Sequence, residues 1–479
     1  MKKIFSMILA FALCLSLVGC GSASAASDGA ADSTSSAAVS TAAESTAAPE
    51  TKAGLLAAEA EAEEDVETTV TITLSDGASR ADGAGVTVSG DTVTITAGGS
   101  YRVTGLLTNG QIVVNAPEEK VVLALDGVSI TCENSAAIFS KDDLTLKGSG
   151  ALTVSSETGH GIVSKDELKI KSGTLTVAAA KKGMAANDLV EITGGDITIA
   201  SGKHGIHCDE ALTVSHGTVN ITKSFEGLEA KTIEISGGDI AITASDDGLN
   251  ATDSASGTEA DGWGWGFGGM DEAQEGVYIL ISGGKLTVNA SGDGLDSNGD
   301  LTITGGEVYI SGPTSDGDGA LDYAGTGTIT GGTLIAAGSS GMAQSLSSDA
   351  QGVMLLTLSG AQSAGSTVTV HDASGMLLAS FTPEKAYTSV VISAPGTESG
   401  GTYTVECGGE SRSITLDGYT YSEGGFGGVG GGMPGGFGGG QPNGDFSGER
   451  PDGTPPSDFN GTRPDGTPPA GFSGGGRSA

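Results

Sequence analysis

The sequence predicts an all-β chain: a right-handed parallel β-helix of about 22 residues per coil, followed by a small antiparallel β module. Three observations predict it. A glycine returns at Gly161, Gly183, Gly205, Gly227 and Gly248, and again after insertions at Gly294 and Gly319. Each period then repeats one apolar rhythm. Leu168-Lys169-Ile170, Ser172-Gly173 and Leu175-Thr176-Val177 are followed by Val190-Glu191-Ile192, Gly194-Gly195 and Ile197-Thr198-Ile199. No helical stretch interrupts this pattern. Alternation of apolar and polar residues places successive side chains on opposite faces of short strands. A period this short cannot bury its own apolar face, so successive coils must stack. A leucine-rich repeat has a similar period but needs a Leu-x-x-Leu-x-Leu strand, whereas here glycine turns divide three short apolar groups. Each coil should rise about 4.8 Å, and right-handed coiling follows from the chirality of parallel crossovers.

From the N-terminus, Met1-Lys2-Lys3, an apolar run from Ile4 to Val18 and Gly19-Cys20 make residues 1–20 a secretory signal. Its Leu17-Val18-Gly19-Cys20 ending resembles the bacterial lipobox, so Cys20 is the expected site of lipidation and the protein is expected to be exported and lipid-anchored. Residues 21–66 are Ala, Ser, Thr and Glu with few large apolar groups, a composition that reads as a flexible stalk. The β-helix is assigned to residues 67–351. Over 352–421 the glycine period stops, and Val353-Met354-Leu355-Leu356, Val368-Thr369-Val370, Val390-Val391-Ile392 and Tyr403-Thr404-Val405 read as antiparallel strands. Such a module would cap the last coil, whose strand edges are otherwise unpaired. Residues 422–479 form a Gly/Pro-rich tail with a duplicated Arg-Pro-Asp-Gly-Thr-Pro-Pro.

Cys132, Cys208 and Cys407 remain after the signal. The first two lie three coils apart, beyond the roughly 7 Å Cα separation that a disulfide tolerates, so unpaired cysteines are expected. No Cys-x-x-Cys or paired Cys/His spacing suggests structural zinc. With 59 acids against 22 bases, a formal charge of −37 argues against nucleic acid and anionic membrane surfaces and favours divalent cations. A monomer, touching the membrane only through its lipid anchor, is expected.

Equivalent positions of stacked coils form columns. The residue before each repeat glycine gives His160, Lys182, His204, Glu226, Asp247, Asp293 and Asp318, and the residue two after it gives Val163, Ala185, His207, Glu229, Asn250, Asp296 and Leu321. Both columns turn acidic at the same coil. Like charges about 5 Å apart repel by roughly 1 kcal/mol in water and about 3 kcal/mol at an effective dielectric of 20. Calcium relieves this, because it takes six to eight oxygen ligands in flexible geometry. The expected ligands are Asp247, Asn250, Asp253, Asp293, Asp296, Asn298, Asp300 and Asp318.

Three stretches then carry a resemblance: Gly99-Ser100-Tyr101-Arg102-Val103-Thr104-Gly105, Val121-Val122-Leu123-Ala124-Leu125-Asp126-Gly127-Val128, and Gly161-Ile162-Val163-Ser164-Lys165-Asp166. With the Asp-Gly corners and Thr382-Pro383-Glu384-Lys385-Ala386-Tyr387, they make residues 70–421 resemble the bacterial calcium-containing, right-handed parallel β-helix carbohydrate-binding proteins that attach to cellulose and polygalacturonate. The resemblance implies a binder rather than an enzyme.

Two surfaces are candidates for the sugar. One is aromatic: Trp263 and Trp265 in the insertion after Gly248, with Tyr278 and Tyr309 on outward strand positions. The other is the acidic stack, which would hold a pectin-like polymer through bridging calcium. A calcium-dependent polysaccharide lyase is the enzymatic alternative, but no arginine lies between Arg102 and Arg412 to serve as its usual base. A structural surface adhesin is the third reading.

Overall fold

The computed structural model describes residues 70–117, 119–253 and 273–424. The chain builds a parallel β-solenoid of about 10 turns of about 23 residues, with no helix among the described residues. One coil shows the plan. Ile206–Cys208 is a three-residue strand, Ala211–Val214 follows it, and Thr218–Ser224 comes after a glycine turn. The three-residue strands hydrogen-bond coil to coil in an 11-stranded sheet. The other two strand sets belong to a 21-stranded sheet, because strands such as Thr232–Ala244 and Tyr278–Asn289 run unbroken through the corner between them.

The core follows from the alternation read in the sequence. Ile162, Met184, Ile206, Leu228 and Leu249 stack in register and are fully buried. Each such side chain stabilises the fold by about 1.5–3 kcal/mol through burial. The repeat glycines are required by close approach. A Cβ on Gly205 would lie 2.6 Å from Ile221 Cδ1 and 2.7 Å from the Gly227 carbonyl oxygen of the next coil. The turn glycines have a different cause: Gly195 adopts φ +96°, a conformation that L side chains rarely take.

At the C-terminal end the last solenoid strand, Thr333–Gly338, pairs antiparallel with Tyr387–Ser393. Its two faces serve two cores: Leu334 and Ala336 point to the solenoid, Ile335 and Ala337 to the following module. That module adds a four-stranded antiparallel sheet built from Val368–Asp372, Leu377–Phe381, Thr402–Cys407 and Glu410–Thr415. The expected cap is therefore present, and it closes the edge of the Thr333–Gly338 strand set through backbone hydrogen bonds. Cys132, Cys208 and Cys407 are buried and free.

Candidate functional site

The sheet of three-residue strands brings the chemistry to one face. Strand register stacks Phe139, Val163, Ala185, His207, Glu229, Asn250, Asp296 and Asp322 as one column. Beside it runs a corner column set by backbone bonds: the N–H groups of Gly161, Gly183, Gly205, Gly227 and Gly248 donate to the carbonyls of Lys182, His204, Glu226, Asp247 and Asp293. Both columns run from apolar and basic to acidic, as the sequence predicts.

The last coil departs from the expected register. Gly294 N–H bonds to the Gly319 carbonyl, and Leu295 N–H to Ala320. Ala320 thus occupies the repeat-glycine position. Gly319 rather than Asp318 stands below Asp293, and Asp322 rather than Leu321 stands below Asp296. Leu321, in register with Leu295, is core.

At the basic end two adjoining cavities, of about 400 and 140 Å³, share His160, Val163 and Lys165 in their walls. Ala136, Val163, Ala185 and Phe139 pack together as an apolar floor. Lys165, Lys181 and Lys182 flank it. Burial first, and then the charges of Lys181, Lys182 and Lys165, lower the pKa of His160 to about 4, so it stays neutral. In so acidic a chain this is a local positive field.

Midway along the face, Glu229 Oε2 lies 2.6 Å from His207 Nδ1 and 2.8 Å from His204 Nδ1. Glu226 Oε2 is 3.1 Å from His204 Nδ1, and Asp209 Oδ1 is 2.9 Å from His207 Nε2. Burial lowers the pKa of His204, but its bonds to Glu226 and Glu229 outweigh this and raise it to about 9. Burial likewise opposes ionisation of Glu229, and the two histidines override it, holding the acid well below the usual carboxylate range.

At the acidic end, Asp247, Asp293 and Asp296 place carboxylate oxygens within 4.8 Å of one another, as do Glu226, Asp246 and Asp247. Burial, reinforced by Asp296, Asp246 and Asp293, raises the Asp247 pKa to about 9. Burial also raises Asp293 to about 7, against the lowering bond from Gly319 N–H. These carboxylates resist ionisation because burial and mutual repulsion both disfavour their charged forms. Asn250 Oδ1 is buried without a hydrogen-bond partner between Glu229 and Asp296. An oxygen-only donor set with an orphaned amide oxygen fits a hard divalent cation such as calcium.

A family model described as "Carbohydrate-binding domain-containing protein" matches residues 89–138, 133–319 and 203–418. The chain belongs to this family. A carbohydrate-binding domain-containing protein from Acetivibrio thermocellus is 33% identical over 136 residues, 20% of this chain and 48% of the relative. The chain therefore spans about half the length of that relative. A solved polysaccharide lyase-like protein from C. thermocellum, a gadolinium derivative, is 24% identical with a TM-score of 0.38, covering 56% of this chain and 100% of its own. That likeness is too remote to bear on function.

Within this member of the family, the predicted ligands separate into two groups. Asp247, Asp293 and Asp296 converge, Asn250 lies in their column, and Asp318 acts on Asp246 and Asp293 as a neighbouring charge. The others are engaged elsewhere. Asp253 forms an ion pair with Lys231 at 2.9 Å, and Asp300 Oδ1 accepts the Thr326 N–H at 2.7 Å. Asn298 is held at a corner by backbone bonds to Ala251 and Gln274. The tyrosines form no common sugar platform. Tyr278 donates its hydroxyl to buried Glu234, whereas Tyr309 lies in another strand set and stacks on Phe381 at 5.1 Å. Trp263, Trp265 and Cys20 lie outside the described residues. Sequence reasoning did not single out the lysine-flanked groove or the convergence of His204 and His207 on Glu229. The second was legible in the columns, where Glu229 follows His207 and Glu226 follows His204.

Proposed function

We propose that this protein binds an acidic, plant-type polysaccharide of the polygalacturonate kind without cleaving it, along the face of three-residue strands, while tethered at the bacterial surface through Cys20. The observation that carries this reading is the groove of Phe139, Val163 and Ala185 flanked by Lys165, Lys181 and Lys182 in a chain of net charge −37. An apolar floor receives the C–H face of a sugar ring, and the lysines receive its carboxylates. Further along the same face, calcium held by Asp247, Asp293 and Asp296, with the Asn250 amide oxygen nearby, bridges to carboxylates of the same polymer. Membership of a carbohydrate-binding family supports the polymer as partner.

The test is affinity electrophoresis of the whole protein through polygalacturonate, with calcium and then with chelator, followed by sizing of the polymer. The expected result is retardation that calcium strengthens, with polymer length unchanged. Retardation that survives the chelator but falls with salt assigns recognition to the lysines alone. Equal mobility with and without polymer in both buffers removes the reading, and a shortened polymer makes the protein an enzyme.

A further inference from the structure

We propose that His204, His207 and Glu229 form a second cation site, selective for a zinc-class transition metal and separate from the oxygen-only site at Asp247, Asp293 and Asp296. The three donors belong to two adjacent coils. His204 and His207 flank the corner at Gly205, and Glu229 lies directly beneath His207 in strand register. Their rings, 5.3 Å apart and tilted by 42°, both turn Nδ1 toward one carboxylate oxygen. The side chains of His207 and Glu229 are 7% and 8% exposed, so the donors are already desolvated and fixed.

The lone pairs make the case for a cation. His207 has a carboxylate oxygen at each ring nitrogen, Glu229 at Nδ1 and Asp209 at Nε2. A neutral imidazole donates through one nitrogen only and would turn the other lone pair against a carboxylate. A second ring proton or a metal ion removes that conflict. Asp209 on Nε2 is also the outer carboxylate that commonly fixes the tautomer of a metal-bound histidine. Bonds of about 2.0–2.1 Å to nitrogen and oxygen set tetrahedral zinc donors roughly 3.3 Å apart. The observed separations of 2.6 and 2.8 Å need to open by about 0.5–0.7 Å to meet that spacing. Loading displaces the proton that stands between each Nδ1 and the carboxylate.

Donor type separates the two sites. Imidazole nitrogen favours zinc, copper and nickel, whereas carboxylate and amide oxygens favour calcium and magnesium. Three protein ligands leave a fourth coordination position, for which Glu226 Oε2, 3.1 Å from His204 Nδ1, competes with water.

The experiment uses the full protein without a histidine tag, stripped of metal and saturated with calcium. Zinc is titrated by calorimetry, and cobalt is followed by its visible absorption. The expected result is one equivalent bound, with intense ligand-field bands that calcium does not displace. His204→Gln and His207→Gln should each weaken zinc binding at least about 100-fold, and Asp209→Asn about 10- to 100-fold. The Asp209 side chain is 54% exposed, so its variant decides the matter if a histidine variant fails to fold. Asp300→Asn, at a carboxylate outside both sites, should leave zinc affinity unchanged. A folded protein that takes up neither ion, an ion that calcium displaces, or undiminished affinity in the Asp209 and histidine variants would each overturn the proposal.

Discussion

Asp247 and Asp293 are joined across coils: the backbone N–H of Asp293 donates to Asp247 Oδ1 at 2.7 Å, and Asp293 Oδ1 in turn accepts the N–H of Gly319. Each carboxylate caps the coil that follows it while facing the carboxylates beside it. Capping and repulsion are therefore separable in one side chain.

Asp247→Asn tests this separation, since an amide oxygen still accepts the Asp293 N–H but carries no charge. Calcium at 100-fold above its Kd should raise wild-type stability by about 2.7 kcal/mol, and the variant should lose this gain. In chelator the variant should match or exceed wild type. Thermal unfolding of both proteins with and without calcium checks it, and a calcium gain retained in the variant would remove Asp247 from the site.

Stability of the metal-free protein should fall as pH rises. Asp247 and Asp293 are raised from 3.8 to about 9 and about 7, so between those values the folded chain holds protons that the unfolded chain has released. Their effect is least unfavourable at the acid end. His204, raised from 6.5 to about 9, has the same sign: its contribution is complete below 6.5 and lost as pH passes 9. Calcium must displace carboxyl protons, so the gap between calcium and chelator curves should widen with pH. Denaturant titrations across this range measure the slope, and a flat chelator curve contradicts the assignment.

Lys165→Ala combined with Lys181→Ala should weaken polygalacturonate binding roughly 2- to 30-fold, from about 0.2–1 kcal/mol per exposed ion pair, and flatten its salt dependence. Both lysines are exposed, so the unfolding midpoint should not move. Unaltered retardation of the double variant would place the polymer elsewhere on the molecule.

Gly205→Val should destabilise the solenoid by at least about 1–3 kcal/mol, because the new side chain meets Ile221 and the Gly227 carbonyl and the coil must shift to admit it. Urea unfolding reads this directly. A midpoint equal to wild type would mean that the corner is slack.

Most of the architecture was legible because burial and strand period act on every coil alike: Ile206, Leu228 and Leu249 repeat one environment. The site was less legible because it depends on register where the repeat breaks. Ala320 stands in a glycine position, so counting from Gly319 displaced Asp318 and Leu321 by one residue. Tyr309 met the alternation rule for an outward residue, yet Phe381 from the following module stacks on it, a contact no local pattern encodes. Lys181 and Lys165 belong to different coils, and only stacking brings them to one groove.

The unbroken register of the three-residue strands gives this face the properties of a measuring scale. Phe139, Val163, Ala185, His207, Glu229, Asn250 and Asp296 succeed one another at intervals of one strand spacing, about 4.8 Å. The offset between lysines and acids is thus quantised. Insertion or loss of a coil would lengthen or shorten it by one graduation while leaving every core contact type intact. On the proposed reading, a lineage of such chains would retune itself to polymers of different charge spacing by counting coils rather than by redesigning a pocket.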